Sequence, residues 1–153
     1  MDRKQELLEL ADSFIENEIS LARLYQACVE FIPEHREVWE SLQRQEEHHA
    51  EVFQQIRRAI EETSGNWSHG KFFSQTLHLM TDDLKRTTEQ IHTKTVNRRY
   101  VVQHMMDTEN SLIESELSKA FKTDNEKFQS LMSMLQEETS SHRNLLRGLL
   151  NKV

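Results

Sequence analysis

The chain has 153 residues, enough for one domain with its own core, and its 19 Lys+Arg against 26 Asp+Glu give a net charge of −7 that disfavours nucleic acid or an anionic membrane surface as partner. Glycine and proline number only 3 and 1, far below the roughly 12% of ordinary globular chains, which leaves too few turn formers for a sandwich, a barrel or a doubly wound sheet. The expectation is an all-α protein, soluble and cytoplasmic, since the lone Cys28 closes no intrachain disulfide and no run of some eighteen apolar residues is present.

The first helix begins near residue 3 with the stripe Leu7, Ala11, Phe14, Leu21, Tyr25 and Val29, and stops before Pro33. Pro33 suits the first turn of a second helix carrying Trp39, Leu42, Phe53, Ile56 and Ile60, which Thr63-Ser64-Gly65-Asn66 ends. Residues 64–97 keep a weaker period through Phe72, Phe73, Thr76, Leu77, Met80, Leu84 and Ile91, and are read as one or two crossing helices. The next strong helix carries Val102, Met105, Met106, Leu112, Ile113, Leu117 and Ala120. Thr123-Asp124-Asn125-Glu126 has the form of a capping box opening a last helix with Phe128, Leu131, Leu135, Leu145 and Leu149. The whole is a single domain of two antiparallel hairpins, 3–63 and 98–151, each with a tight connection, joined by a crossover over 64–97.

Each stripe is interrupted at its middle by ligand-type side chains: Glu18, then Glu46 and His49, then Glu109, then Glu138 and His142. Separations of three and four keep Glu46 with His49 and Glu138 with His142 on one helix face. Glu16, Glu47, His48 and Glu137 point elsewhere and read as solvated. Glu18 to Glu46 spans 28 residues and Glu109 to Glu138 spans 29, so hairpins of matching length bring the four acids to one level.

Four carboxylates in an apolar interior need compensation, because burial strips their hydration and like charges oppose one another. Two divalent cations match that charge, and mixed carboxylate and imidazole ligation suits iron or manganese better than calcium or structural zinc. Tyr25 and Glu116 lie two turns beyond Glu18 and Glu109, either as groups supporting the ligands, with Glu116 alternatively an additional ligand, or as ordinary residues of the packing and its edge. His69, His78, His92 and His104 show no ligand spacing. Cys28 reads as a small buried hydrophobe and the methionines as core filler or helix formers.

The segment Glu18-Ile-Ser-Leu-Ala-Arg-Leu-Tyr25, followed by Glu46-Glu-His-His49-Ala, Glu109 and the Glu138 to His142 pair, resembles the di-iron domain of rubrerythrins within the ferritin-like superfamily, over roughly residues 7–60 and 98–150. The resemblance implies a ferritin-like four-helix bundle with two iron ions, bridged by Glu46 and Glu138 and held terminally by Glu18, Glu109, His49 and His142. It implies reduction of peroxide or dioxygen, and fold analogy implies a homodimer. The chain departs from the family in three respects. It carries no rubredoxin module, so an external electron donor is required; Leu112 stands where rubrerythrins carry an extra glutamate; and its last motif has one residue more than the usual Glu-x-x-His. The alternative is a metal-free helical interaction module.

Overall fold

The computed structural model describes residues 2–70 and 74–153, with five α-helices among them: α1 (Arg3–Phe31), α2 (Arg36–Thr63), α3 (Ser74–His92), α4 (Arg98–Glu114) and α5 (Glu126–Leu150). The all-α expectation holds, with one small addition. Strands β1 (Trp67–His69) and β2 (Phe121–Thr123) pair antiparallel, Trp67 opposite Thr123, and tie the crossover to the α4–α5 connection.

Helix ends follow local chemistry. The Asp2 carboxylate accepts from the Gln5 amide at 2.8 Å and caps α1, and the Asn97 side chain accepts from the Tyr100 amide to cap α4. α1 stops at Phe31, ahead of Pro33, and the Trp39 indole donates to the Ile32 carbonyl at 2.9 Å across the bend. Pro33 opens a short 3₁₀ turn, Pro33–His35, and α2 starts only at Arg36.

The second connection departs from the sequence reading. α4 ends at Glu114 and not near Ala120, because Glu116 takes a left-handed conformation (φ 58°) and turns the chain into the 3₁₀ turn Leu117–Lys119. This bend drops Leu117, Ala120 and Phe121 into the core, so the connection runs over residues 115–125 and is not tight. Thr123 is held extended in β2, and the cap of α5 is Asn125, whose side-chain oxygen accepts from the Lys127 and Phe128 amides.

Inter-helix bonds fix the directions. Asp12 meets Arg57 while Tyr25 stacks on Trp39, so α1 and α2 are antiparallel. Arg99 reaches the Leu150 carbonyl, Arg143 meets Asn110, and Gln136 meets the Ile113 carbonyl, so α4 and α5 are antiparallel too. Ser13 bonds His78 at 2.9 Å and Asn17 bonds Thr81 at 3.1 Å, so the single crossover helix α3 runs parallel to α1. It carries the chain back before α4 descends. Its inward face is Leu77, Thr81, Leu84, Thr87 and Ile91; Thr76 is exposed, and Phe72 and Phe73 lie outside the described residues.

The core is in two apolar clusters. One gathers Leu7, Leu10, Phe14, Phe53, Ile56, Leu112, Phe121 and Leu135; the other gathers Leu21, Leu24, Tyr25, Trp39, Leu42, Met105 and Leu146. On each of α1, α2, α4 and α5 the sequence passes from one cluster to the other through the interrupting residues, which therefore share one level in mid-bundle. No helix among the described residues is long and apolar enough to cross a membrane.

Candidate metal centre

Five of the six sequence-predicted ligands converge. Glu18 from α1, Glu46 and His49 from α2, Glu109 from α4 and His142 from α5 are each at most 2% exposed. Their donor atoms form two groups, Glu18–Glu46–His49 and Glu46–Glu109–His142, each with all its ligand atoms within 4.8 Å of one another. Glu46 belongs to both. Its Oε2 lies 3.4 Å from His49 Nδ1 and its Oε1 lies 2.7 Å from His142 Nδ1, so one oxygen faces each group. The two imidazoles stack with centroids 5.5 Å apart and planes 16° from parallel.

Each histidine turns Nδ1 inward and is held from outside through Nε2. His49 Nε2 bonds Glu138 at 2.5 Å, and His142 Nε2 bonds the Gln45 side-chain oxygen at 2.8 Å. The Gln45 amide nitrogen donates to the Ser41 hydroxyl, which orients its oxygen toward the ring. With Nε2 donating outward, release of the Nδ1 proton would leave a lone pair facing inward, the arrangement that metal-binding histidines require.

Glu138 is not brought into either group. The sequence reading paired it with His142, four residues on; its side chain instead leans across to His49 and is 35% exposed. The residue three before His142, corresponding to Glu46 three before His49, is Thr139, which is buried with its hydroxyl donating to the Leu135 carbonyl. Aligning the two helices on their histidines sets Gln45-Glu46-x-x-His49 against Glu138-Thr139-x-x-His142. Gln45 and Thr139 went unnoticed in the sequence, although that alignment was the signal for both. The inner group thus holds three carboxylates and two imidazoles.

Tyr25 reaches the site, donating from its hydroxyl to Glu109 Oε1 at 2.8 Å. Glu116 does not: it is exposed and paired with Lys119 at 3.4 Å. His69, His78 and His104 are bonded to Glu6, Ser13 and Thr87 respectively, away from the centre. Cys28 is buried, and burial pushes its thiol up to about 12, as befits packing and not reactivity.

The electrostatics of the layer follow from burial and from the carboxylates it gathers. Burial, and after it the neighbouring Glu46 charge, push the Glu18 carboxyl well above the usual carboxylate range. Burial opposes charge on both imidazoles, yet the surrounding carboxylates outweigh it: His49 is pushed up to about 12 by Glu18 and Glu46, and His142 to about 10 by Glu109 and Glu46. Among the described residues, both oxygens of Glu18, Oε2 of Glu46, Oε2 of Glu109 and Nδ1 of His49 are buried without a hydrogen-bond partner. Each such group costs about 1–3 kcal/mol of desolvation. Five at one level, all of ligand type, fit divalent transition-metal cations in carboxylate and imidazole coordination.

No protein-family model matches the chain, nor does any curated protein or any solved structure. The reading of this site therefore rests on its own residues.

Proposed function

We propose that this chain is a rubrerythrin-like di-iron carboxylate protein of the ferritin-like superfamily, reducing peroxide or dioxygen with electrons from an external donor. The observation that carries the reading is the pair of buried donor groups sharing Glu46, with each histidine's Nδ1 turned inward. Glu18, Glu46 and His49 would hold one ion; Glu46, Glu109 and His142 would hold the other. Two helices giving a glutamate each and two giving a histidine motif is the ligand plan of ferritin-like bundles, here with Thr139 in place of one carboxylate. Bound iron would supply the two electrons that a peroxide bond consumes and an open position at which the oxidant binds.

The protein's own part is positioning and exclusion. Gln45 and Glu138 fix the two rings, Tyr25 fixes the Glu109 carboxylate, and the apolar clusters on either side keep bulk water from the layer. Loading must also release the protons that the buried histidines hold in the metal-free state.

Equilibrium dialysis against excess Fe(II) under argon, followed by elemental analysis, tests the assignment: about two ions per chain are expected, and Glu46→Ala should remove both. Unchanged stoichiometry in that variant would sink it. Peroxide consumption by the loaded protein with a reducing dye then tests the reaction. Thr139 favours a second reading, a helical interaction module that has kept the fold and lost the metal. That reading expects a strong chelator to leave the melting temperature of the purified protein unchanged.

A further inference from the structure

The two halves of the centre are built from similar residues but are not in similar states. Around His49 the inward atoms make no hydrogen bond: both Glu18 oxygens, Glu46 Oε2 and His49 Nδ1 are buried and held only by the longer ion pairs of His49 Nδ1 to Glu46 at 3.4 Å and to Glu18 at 3.9 Å. Around His142 they are engaged. His142 Nδ1 is bonded to Glu46 Oε1 at 2.7 Å and Glu109 Oε1 accepts from Tyr25, leaving only Glu109 Oε2 without a partner.

Resting on the di-metal reading above, we propose that the two positions are unequal: the first ion enters the Glu18–Glu46–His49 position and is held more tightly, and the Glu109–Glu46–His142 position fills second. An ion at the first position satisfies four buried atoms that make no hydrogen bond and displaces only the long His49 ion pairs. At the second position an ion must displace the His142–Glu46 bond and share Glu109 with the tyrosine hydroxyl.

The outer partners reinforce the order. His49 is backed by Glu138, a carboxylate that makes the imidazole a stronger donor, whereas His142 is backed by the neutral amide of Gln45. Glu138 is thereby a positioning residue for the tight site. This is a different role from the bridging ligand that the resemblance to rubrerythrins implied.

Anaerobic equilibrium dialysis with Co(II), read by elemental analysis, tests the order on the full chain, with circular dichroism confirming that each variant is helical. Wild type should bind in two steps separated by about tenfold or more in Kd. Glu109→Ala should lose the weak step and keep the tight one; Glu18→Ala should lose the tight one, with His49→Ala testing the same position should that variant fail to fold. Glu138→Gln should weaken the tight step by about 10–100-fold and spare the weak one. Two indistinguishable steps in the wild type, or a tight ion kept by Glu18→Ala and lost by Glu109→Ala, would overturn the proposed order while leaving the di-metal reading standing. Folded wild-type protein that binds no Co(II) and no Fe(II) would overturn the di-metal reading itself, and the order with it.

Discussion

Four residues along α1 separate two kinds of interior. Phe14 stacks on Phe53 at 4.5 Å with rings 8° from parallel, closed in further by Phe121, while Glu18 one turn on offers two carboxylate oxygens that make no hydrogen bond. Both side chains are almost wholly buried. The first layer gains from every atom it removes from water; the second gives up hydration and recovers it only when a cation or a proton arrives. One bundle thus carries its apolar packing at the ends and its buried charge in the middle, and perturbing either layer should reveal what each contributes.

The largest expected effect is in the apolar layer. Phe53→Ala removes a ring that packs against Phe14 and Phe121 and should destabilise the protein by about 3–5 kcal/mol, with or without metal, as measured by denaturant unfolding. The charged layer should respond with the opposite sign. Glu18→Leu replaces a buried carboxyl that makes no hydrogen bond, only a 3.9 Å ion pair to His49, by an apolar group, and should stabilise the metal-free chain by about 1–3 kcal/mol while weakening ion binding. A lower melting temperature for metal-free Glu18→Leu would mean that the carboxyl is satisfied in some other way.

The gentlest probe is pH. His49 and His142 hold their protons in the folded state up to about 12 and about 10, against 6.5 for a free imidazole. The stability they contribute is full below 6.5 and is lost as pH rises through the folded values, because above 6.5 the unfolded chain has already released those protons. Glu18, also raised, acts in the same sense from a lower starting point. The metal-free protein should therefore melt at progressively lower temperature between pH 6.5 and 10. The metal-loaded protein should not share this decline over the lower part of that range, since ions displace the same protons and bind more tightly as pH rises. Parallel curves for the two forms would separate the ions from this layer.

Much of the fold was legible because helix period and helix ends are local properties. The stripes of α1, α2, α4 and α5 and the stop before Pro33 all follow from residues within a turn or two of where they act. The level of Glu18, Glu46, His49, Glu109 and His142 was legible too, since it needs only equal spacing along antiparallel helices. The early end of α4 was not. It depends on Glu116 accepting a left-handed conformation so that Leu117, Ala120 and Phe121 can join the Phe14 layer, and on Thr123 pairing with Trp67 across the molecule.

The sequence by itself determined most of the inward faces and that the middle of the bundle is charged, because periodicity and residue chemistry are carried by the chain alone; on α5 it placed Leu145 inward, where the structure exposes it and buries Leu146. Only the tertiary structure decided what each charged group does. Glu138 and His142 are consistent with one shared face as a one-dimensional pattern, yet the packing of α5 on α2 sends Glu138 to the outer nitrogen of His49 and leaves Thr139 at the position three before His142. A helix face spans more than 100°, wide enough to hold both an inner ligand and the group that backs the neighbouring helix's ligand. Which of the two a residue becomes is set by the rotation of one helix against another, and that is fixed by contacts far apart in the chain.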